Sequence, residues 1–433
     1  MSKKKSIKRF VFMGLVAVVG LLLTFLQFSV PFTNYNYNGF INAISLGRDL
    51  GGGYYGIYSA KVAEEGAVYD ECIDETISSL TKLLEGNGYQ DVLVEKLEGE
   101  KVRISLPHTD TSRSTLRTIG ASKTLEIKSE ESATAEAEIT GTNIVSAEYM
   151  YIEGQENPYA VQIKFDSEGS DKFYDITKAA SETDSKKIYM YIDGELFSSP
   201  TVEEGISGGQ TYISGNFASK AEAEDFALKI MAGSMKVLLN DEIVDFFEPT
   251  LGENADLYAM LCVIVVVVVT FITLIVLYRD RGYMMSLSLL FYLIIMMFLL
   301  QSVPIVTLTL YGVIGLILSF IIATLCQVIV ANNIQKEYAQ GKKINTAFKT
   351  GYKASLLPMM DICVATVIAT FVLVLFSAGA IRSLATVVFI GSFVCAFISF
   401  VVTRSIYNLY LPLNSKNSKH LNLTREESID ELK

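Results

Sequence analysis

Tyr352 to Leu375 reads YKASLLPMMDICVATVIATFVLVL, an apolar segment of helix length interrupted by one carboxylate, Asp361. About twenty apolar residues carry a helix across about 30 Å of hydrocarbon. A charge at the centre of such a helix costs roughly 2.5–3.5 kcal/mol even on insertion scales, so an acid kept there is a functional-site candidate. The segment marks the chain as a membrane protein and Asp361 as the residue to explain.

Working outward, five more stretches are almost free of charge and of spanning length or nearly so: Phe10–Val30, Leu257–Tyr278, Tyr283–Leu300, Ile305–Ala331 and Leu384–Val402, with Leu356–Ala378 as the span in the quoted segment. Six transmembrane helices are expected, one before and five after a long polar region. Lys3, Lys4, Lys5, Lys8 and Arg9, then Arg279 and Arg281, then Lys336, Lys342, Lys343, Lys349 and Lys353, then Arg404 and Lys416 all fall on one side of such a bundle. The positive-inside rule makes that side cytoplasmic and both termini internal. The first apolar run is longer than the roughly 7–15 residues of a signal-peptide core, and Phe28-Ser29-Val30-Pro31-Phe32 has no small-x-small cleavage site, so it reads as an uncleaved anchor. The expected domains are a cytoplasmic N-terminus (1–9), an anchor (10–30), an extracytoplasmic domain (31–256), a five-helix bundle (257–410) and a cytoplasmic tail (411–433).

The net charge of −11 conceals an asymmetry: residues 31–256 carry 40 acids against 18 bases, and the remainder is net positive. This bears on solubility and topology, and suggests neither nucleic-acid nor anionic-lipid binding by the exported part. Of five cysteines only Cys72 is in that part, while Cys262, Cys326, Cys363 and Cys395 are in spans; the two histidines, His108 and His420, are far apart. No disulfide in the exported part, no metal and no other cofactor are expected. Gly51-Gly52-Gly53 beside Asp49 is not followed by Gly-Lys-Ser/Thr, and no partnered acid–base arrangement is evident, so the chain is not expected to be an enzyme.

In the exported domain, strands Tyr54–Val62, Val92–Lys96, Val102–Leu106 and Thr124–Lys128 alternate with helices Val68–Glu85 and Thr111–Ile119 in the order βαββαβ. Ser129–Thr140, rich in Ser, Glu, Ala and Thr, reads as a linker or a small loop excursion. The order then recurs: strand Tyr159–Phe165, helix Glu168–Ser181, strands Lys187–Ile192 and Gln210–Ser214, helix Ser219–Ala232 and strand Lys236–Leu239, with Ser219 and Glu222 as a capping box. Two successive ferredoxin-like units, at about 54–128 and 142–240, are expected. The fold class is α+β on a membrane bundle of one plus five helices.

Two stretches are empty as chemistry but distinctive as sequence. Leu46-Gly47-x-Asp49-Leu50-x-Gly52-Gly53 opens the domain, and Ile206-Ser207-Gly208-Gly209-Gln210-Thr211-Tyr212-Ile213-Ser214-Gly215-Asn216-Phe217 precedes its last helix. Both resemble signatures of the SecD family, part of the resistance-nodulation-division (RND) superfamily. Phe165-Asp166-Ser167-Glu168-Gly169 with Phe173, Asp193-Gly194 with Ser198-Ser199-Pro200, and Tyr278-Arg279-x-x-Gly282 are similar to other segments of the family. The layout covers essentially the whole chain. The resemblance implies an RND-type bundle in the bacterial plasma membrane and assistance to late preprotein export driven by the proton-motive force. It implies a separate SecF-like subunit and the SecYEG channel as partners, SecA and YidC nearby, unfolded preprotein as substrate and membrane lipid around. It also implies an exported domain with a base and a mobile head; since the short Ser129–Thr140 stands where a larger insertion is expected, the head is expected to be reduced or missing.

The family's fourth span carries Asp-Ala-Asn-Val-Leu-Ile, whose acid is tied to proton movement, and its fifth Asp-Ala-Asn-Leu-Thr-Thr. Alignment back from Ile334-Gln335-Lys336-Glu337 puts Leu325 at the first acid, followed by Cys326 and Gln327; Asp361 matches the second acid, with Thr366 in the threonine pair. The resemblance thus implies an incomplete proton relay. Asp361, Ala365 and Ala369 share a helix face, as do Gly312, Gly315, Ser319, Ala323 and Cys326, and Gly391, Cys395, Ser399 and Thr403. The three stripes are expected to pack together, with Asp361 inside near Gln327. Two readings of Asp361 stay open: proton coupling, or a snorkelling acid about two turns from Lys353. Gln327 and Asn332 are expected to join helices by hydrogen bonds, Arg382 to anchor at the interface, and Lys342–Lys353 to form a basic linker. An RND-like exporter of lipids or small amphiphiles and a coupling-deficient translocase scaffold are the alternative functions.

Overall fold

The computed structural model describes residues 3–29, 36–62, 68–154, 157–214, 217–303, 306–377, 379–414 and 421–423. It divides into two units, Met1–Gly52 with Glu248–Lys433, and Gly53–Phe247. The chain begins with helix α1 (Lys3–Phe25), a small ladder of β1 (Phe28–Ser29) on β2 (Asn36–Tyr37), and two single turns of helix, α2 (Gly39–Asn42) and α3 (Arg48–Gly51). The second unit then runs β3 (Gly53–Val62), α4 (Tyr69–Gly86), β4 (Leu93–Leu97), β5 (Lys101–Pro107), α5 (Ser112–Gly120), β6 (Leu125–Lys128), β7 (Ile144–Tyr151), β8 (Tyr159–Phe165), α6 (Ser167–Ser181), β9 (Tyr189–Ile192), β10 (Glu195–Ser198), β11 (Gln210–Ser214), α7 (Lys220–Gly233) and β12 (Val237–Phe247).

Four strands form one antiparallel sheet in the order β12-β3-β5-β4. The helix α4 buries Cys72, Ile73, Thr76, Leu80 and Leu84, spaced three and four apart, in a core with Tyr58, Val102, Ile104 and Leu106. It stops where Gly88 turns to φ +96° and the Tyr89 N–H donates to the Leu84 carbonyl at 3.1 Å. With α5, this is a single ferredoxin-like unit whose fourth strand is β12. Residues 122–236 are inserted before that strand, and Ala121 bridges Asn240 across the insertion's two ends. The insertion has two three-stranded sheets, β10-β9-β6 and β11-β8-β7, and a core of Ile127, Val161, Ile163, Phe165, Phe173, Ile213 and Ile230 that includes residues of α6 and α7.

The expected pair of successive ferredoxin-like units is corrected on this point. The four-residue β6 pairs with β9 rather than closing the first sheet, and β12 pairs with β3 rather than closing a second. Length decides the competition: β12 has 11 residues and pairs along all of β3, from Val237 opposite Val62 to Phe247 opposite Gly53. Of the two readings of residues 129–140, a linker or a small loop excursion, the structure shows the excursion. Ile139 is buried and bridges Ile127, and the buried Lys128 ammonium donates to the Ala133 carbonyl at 2.8 Å, folding the segment back on its own sheet.

The first unit continues with α8 (Ala255–Tyr278), α9 (Asp280–Ser302), α10 (Leu310–Ala339), α11 (Ile344–Phe376), α12 (Gly379–Phe397), a π turn (Ile398–Val402) and α13 (Thr403–Asn414). Among the described residues six helices, with α12 running on through α13 as one, are long and apolar enough to cross a membrane. The helices α9, α10 and α12 hold most of the buried residues, whereas α1, α8 and α11 expose most of theirs. At the α8–α9 corner a Cβ on Gly282 would lie 2.1 Å from the Leu274 carbonyl oxygen, so only glycine fits. Arg281, 2% exposed, donates there to the carbonyls of Ala331 (2.9 Å), Leu421 (2.7 Å) and Asn422 (2.7 Å). Residues 421–423, expected in a tail, therefore pack on this corner, with Leu421 and Leu423 buried.

Gly282→Ala is expected to destabilise the bundle by about 1–3 kcal/mol through overpacking, lowering the thermal unfolding midpoint in detergent; Gly14→Ala, where a Cβ meets nothing within 4 Å, is the neutral control. Replacement of residues 123–235 by a short Gly-Ser linker is expected to leave the β3 amides protected from hydrogen exchange. Deletion of β12 is expected to expose them.

Candidate functional site in the membrane helices

The seam between α10 and α12 is built from small side chains. Gly312, Gly315, Ser319, Ala323 and Cys326 are buried on α10, and Gly391, Cys395, Ser399 and Thr403 on the facing helix. Gln327 is fully buried in this seam; its amide donates to the Thr403 hydroxyl at 2.9 Å, and that hydroxyl donates back to the Gln327 oxygen at 3.2 Å. The predicted interhelical role of Gln327 is thus observed. The Tyr352 hydroxyl reaches the π turn, donating to the carbonyls of Ser399 (2.9 Å) and Phe400 (3.1 Å), which the wider turn leaves accessible.

Asp361 is not in this interior. The buried residues of α11 are Ala347, Phe348, Gly351, Ser355, Met359, Cys363 and Thr370. Two residues of helix turn through about 200°, so Asp361 lies on the side away from Cys363. Asp361, Ala365 and Ala369 are exposed, and Asp361 makes no hydrogen bond or ion pair with a described residue. The expectation that it faces Gln327 is corrected: Leu357, Val364 and Ile368, bulky neighbours on its face, are also exposed, while the Ser355–Cys363 face makes the contact. Leu325 is 50% exposed on α10. Both positions singled out by the resemblance thus lie on outward faces.

The remaining candidates are local. The Thr366 hydroxyl donates to the Ile362 carbonyl at 2.7 Å within its own helix. The Tyr278 hydroxyl donates to Asn332 Oδ1 at 3.4 Å, linking α8 and α10 ends. Arg382 is half-buried. The expected linker Lys342–Lys353 is corrected: from Ile344 it is the start of α11, and Glu337 ties it down by pairing with Lys342 and accepting from the Thr350 hydroxyl at 2.6 Å.

The motif residues act on the backbone. The Gly47 N–H donates to the Leu308 carbonyl at 3.0 Å, and Asp49 Oδ2 accepts from the Leu310 N–H at 2.6 Å, setting a carboxylate on the first turn of α10 where the helix dipole favours it. Gly52 and Gly53 end α3 and begin β3. Asp166 caps α6 by accepting from the Gly169 N–H at 2.6 Å. Gly208 and Gly209 sit beside this cap with φ of +105° and +62°, and the Gly209 carbonyl accepts from the Phe165 N–H at 2.9 Å. Gly215 and Asn216 lie outside the described residues.

One cluster escaped the sequence reading. Cys326, Cys363 and Cys395, from α10, α11 and α12, bring their sulfurs within 4.8 Å of one another in the buried centre. Two of them already lie on the small-residue stripes, which is the only signal the sequence offers.

Comparison with known proteins agrees with this architecture. Residues 122–237 match the family described as SecDF, P1 head subdomain. The inserted pair of sheets is therefore the head, and the expectation of a reduced or missing one is corrected. The chain is 26% identical over 402 residues to the protein translocase subunit SecD of Acidaminococcus fermentans, covering 92% of each chain. It is 26% identical over 382 residues to the SecD of Dictyoglomus turgidum, covering 87% of this chain and 92% of that one. A crystal structure of SecDF in its super-membrane-facing form shares the fold with TM-score 0.75 at 22% identity, over 96% of this chain and 58% of that one. The SecDF of Thermus thermophilus, described as a translocon-associated membrane protein, gives TM-score 0.50 at 22% identity, over 94% and 59%. This chain thus spans less than two thirds of either SecDF. The matched head segment and the near full-length relatives point the same way: the chain is similar, over most of its length, to the SecD family of protein translocase subunits.

Proposed function

We propose that this chain is the SecD partner of a two-chain assembly: with a SecF-like subunit beside the SecYEG channel, it helps draw unfolded preprotein across a bacterial cytoplasmic membrane at the expense of the proton-motive force. In this reading both termini are cytoplasmic, residues 53–247 are outside, and SecA and YidC are neighbours in the same assembly. The chain has no catalytic chemistry of its own.

The observation that carries the reading is Asp361, a carboxylate at membrane depth on an outward face with no partner in its own chain among the described residues. Left to lipid it would cost roughly 2.5–3.5 kcal/mol. A second membrane half removes that cost and supplies what Leu325 lacks. The SecDF chains of known structure extend well beyond the length matched here, which supports a second half in the assembly. Leu325 itself favours a second reading, a scaffold that docks translocase components while SecF alone carries the protons. A lipid exporter is not favoured by the relatives.

Purification from native membranes in mild detergent is expected to bring a SecF-like chain and SecYEG with this one; isolation as a lone homo-oligomer would overturn the proposal. In cells, Asp361→Asn is expected to slow preprotein export severalfold and to remove most of its sensitivity to a proton uncoupler. Wild-type export by the mutant, still sensitive to the uncoupler, would leave the scaffold reading in its place.

A further inference from the structure

The three buried thiols have the arrangement of a preformed metal site. Cys326 and Cys395 Sγ are 3.7 Å apart, and all three sulfurs lie within 4.8 Å of one another. Their residues are 0%, 5% and 1% exposed for Cys326, Cys363 and Cys395. Cysteines serving only as small packing residues have no reason to aim three sulfurs from three helices at one point. A Zn–S bond of about 2.3 Å sets two sulfurs on one ion about 3.8 Å apart in a tetrahedron and about 4.0 Å apart in a plane triangle. The observed separations need adjustments of about 1 Å at most.

We propose that Cys326, Cys363 and Cys395 form a three-thiolate site for one soft divalent cation of the zinc and cadmium class, which pins α10, α11 and α12 together. Sulfur ligands select such ions over Mg2+ or Ca2+. Charge selects the valence: three thiolates around a divalent ion leave one net negative charge, around Cu+ two, and each uncompensated charge in a dry interior is costly. Binding exchanges protons for metal, M2+ + 3 RSH → [M(SR)3]− + 3 H+, and needs no oxidant. Ser399 Oγ, 4.0 Å from Cys395 Sγ, is a neutral donor for a fourth position. This site stands independently of the export reading.

The test uses the whole chain in detergent, reduced and stripped with a chelator, then titrated with Cd2+ and followed by thiolate-to-cadmium charge-transfer absorption. One Cd2+ per chain is expected, with proton release, and Zn2+ should compete. Cys326→Ser, Cys363→Ser and Cys395→Ser should each weaken binding more than about a hundredfold, beyond the effect of outer-shell changes. Cys72→Ser and Cys262→Ser, at a cysteine of the other unit and an exposed one on α8, should bind like wild type. Absence of the band in folded wild type, or its survival in all three substitutions, would overturn the site. Where a substitution prevents folding, X-ray absorption of the Cd2+-loaded wild type decides: three sulfur neighbours support the proposal, and a shell of oxygen and nitrogen refutes it.

Discussion

The membrane unit rests on the close approach of α10 to α12. Lipid tails are as apolar as leucine, so helices in a membrane are held by packing and interhelical hydrogen bonds rather than by exclusion of water. A Cβ on Gly391 would stand 2.6 Å from Ser319 Cβ, which shows how little room the seam leaves. The reciprocal Gln327–Thr403 bond fixes the seam's register in its dry interior. With those two helices so close, α11 packs on the bundle along the face of Gly351, Ser355, Met359, Cys363 and Thr370. That contact turns Asp361 outward and brings the third sulfur to the other two.

The six spans were legible because a charge-free run of that length can satisfy its backbone polar groups in hydrocarbon only by coiling into a helix. The Ser219–Glu222 cap and the Gly86-Asn87-Gly88 stop were legible because their chemistry is local. Strand partnership was not. Alternation identifies a strand but not its neighbour, and both β6 and β12 read as the fourth strand of a repeat until the long ladder to β3 separated them. Asp361 failed for a similar reason: periodicity tells which residues share a face, not which face turns inward, and α11 carries two candidate stripes. The cysteines are 37 and 32 residues apart in sequence, a spacing that resembles no metal motif, and only the bundle brings them together.

The glycines and acids that carry the resemblance shape the backbone rather than perform chemistry. Asp49 secures the segment before the domain to the start of α10, and the Asp166 cap and the Gly208-Gly209 turn meet inside the head. The insertion of that head before β12 means the base sheet is finished by a strand made more than a hundred residues after α5. The base and the head are thus interleaved in sequence while separate in their sheets.

The Arg281 clasp has a bearing on biogenesis. Leu421 is synthesised 140 residues after Arg281. At about 5–20 residues per second that delay is on the order of ten seconds. Through that interval the guanidinium lacks two of the carbonyls that finally surround it, those of Leu421 and Asn422. The α8–α9 corner therefore cannot reach its final state until translation has passed Asn422, and a chain interrupted earlier is left with a guanidinium short of two of its three carbonyl acceptors.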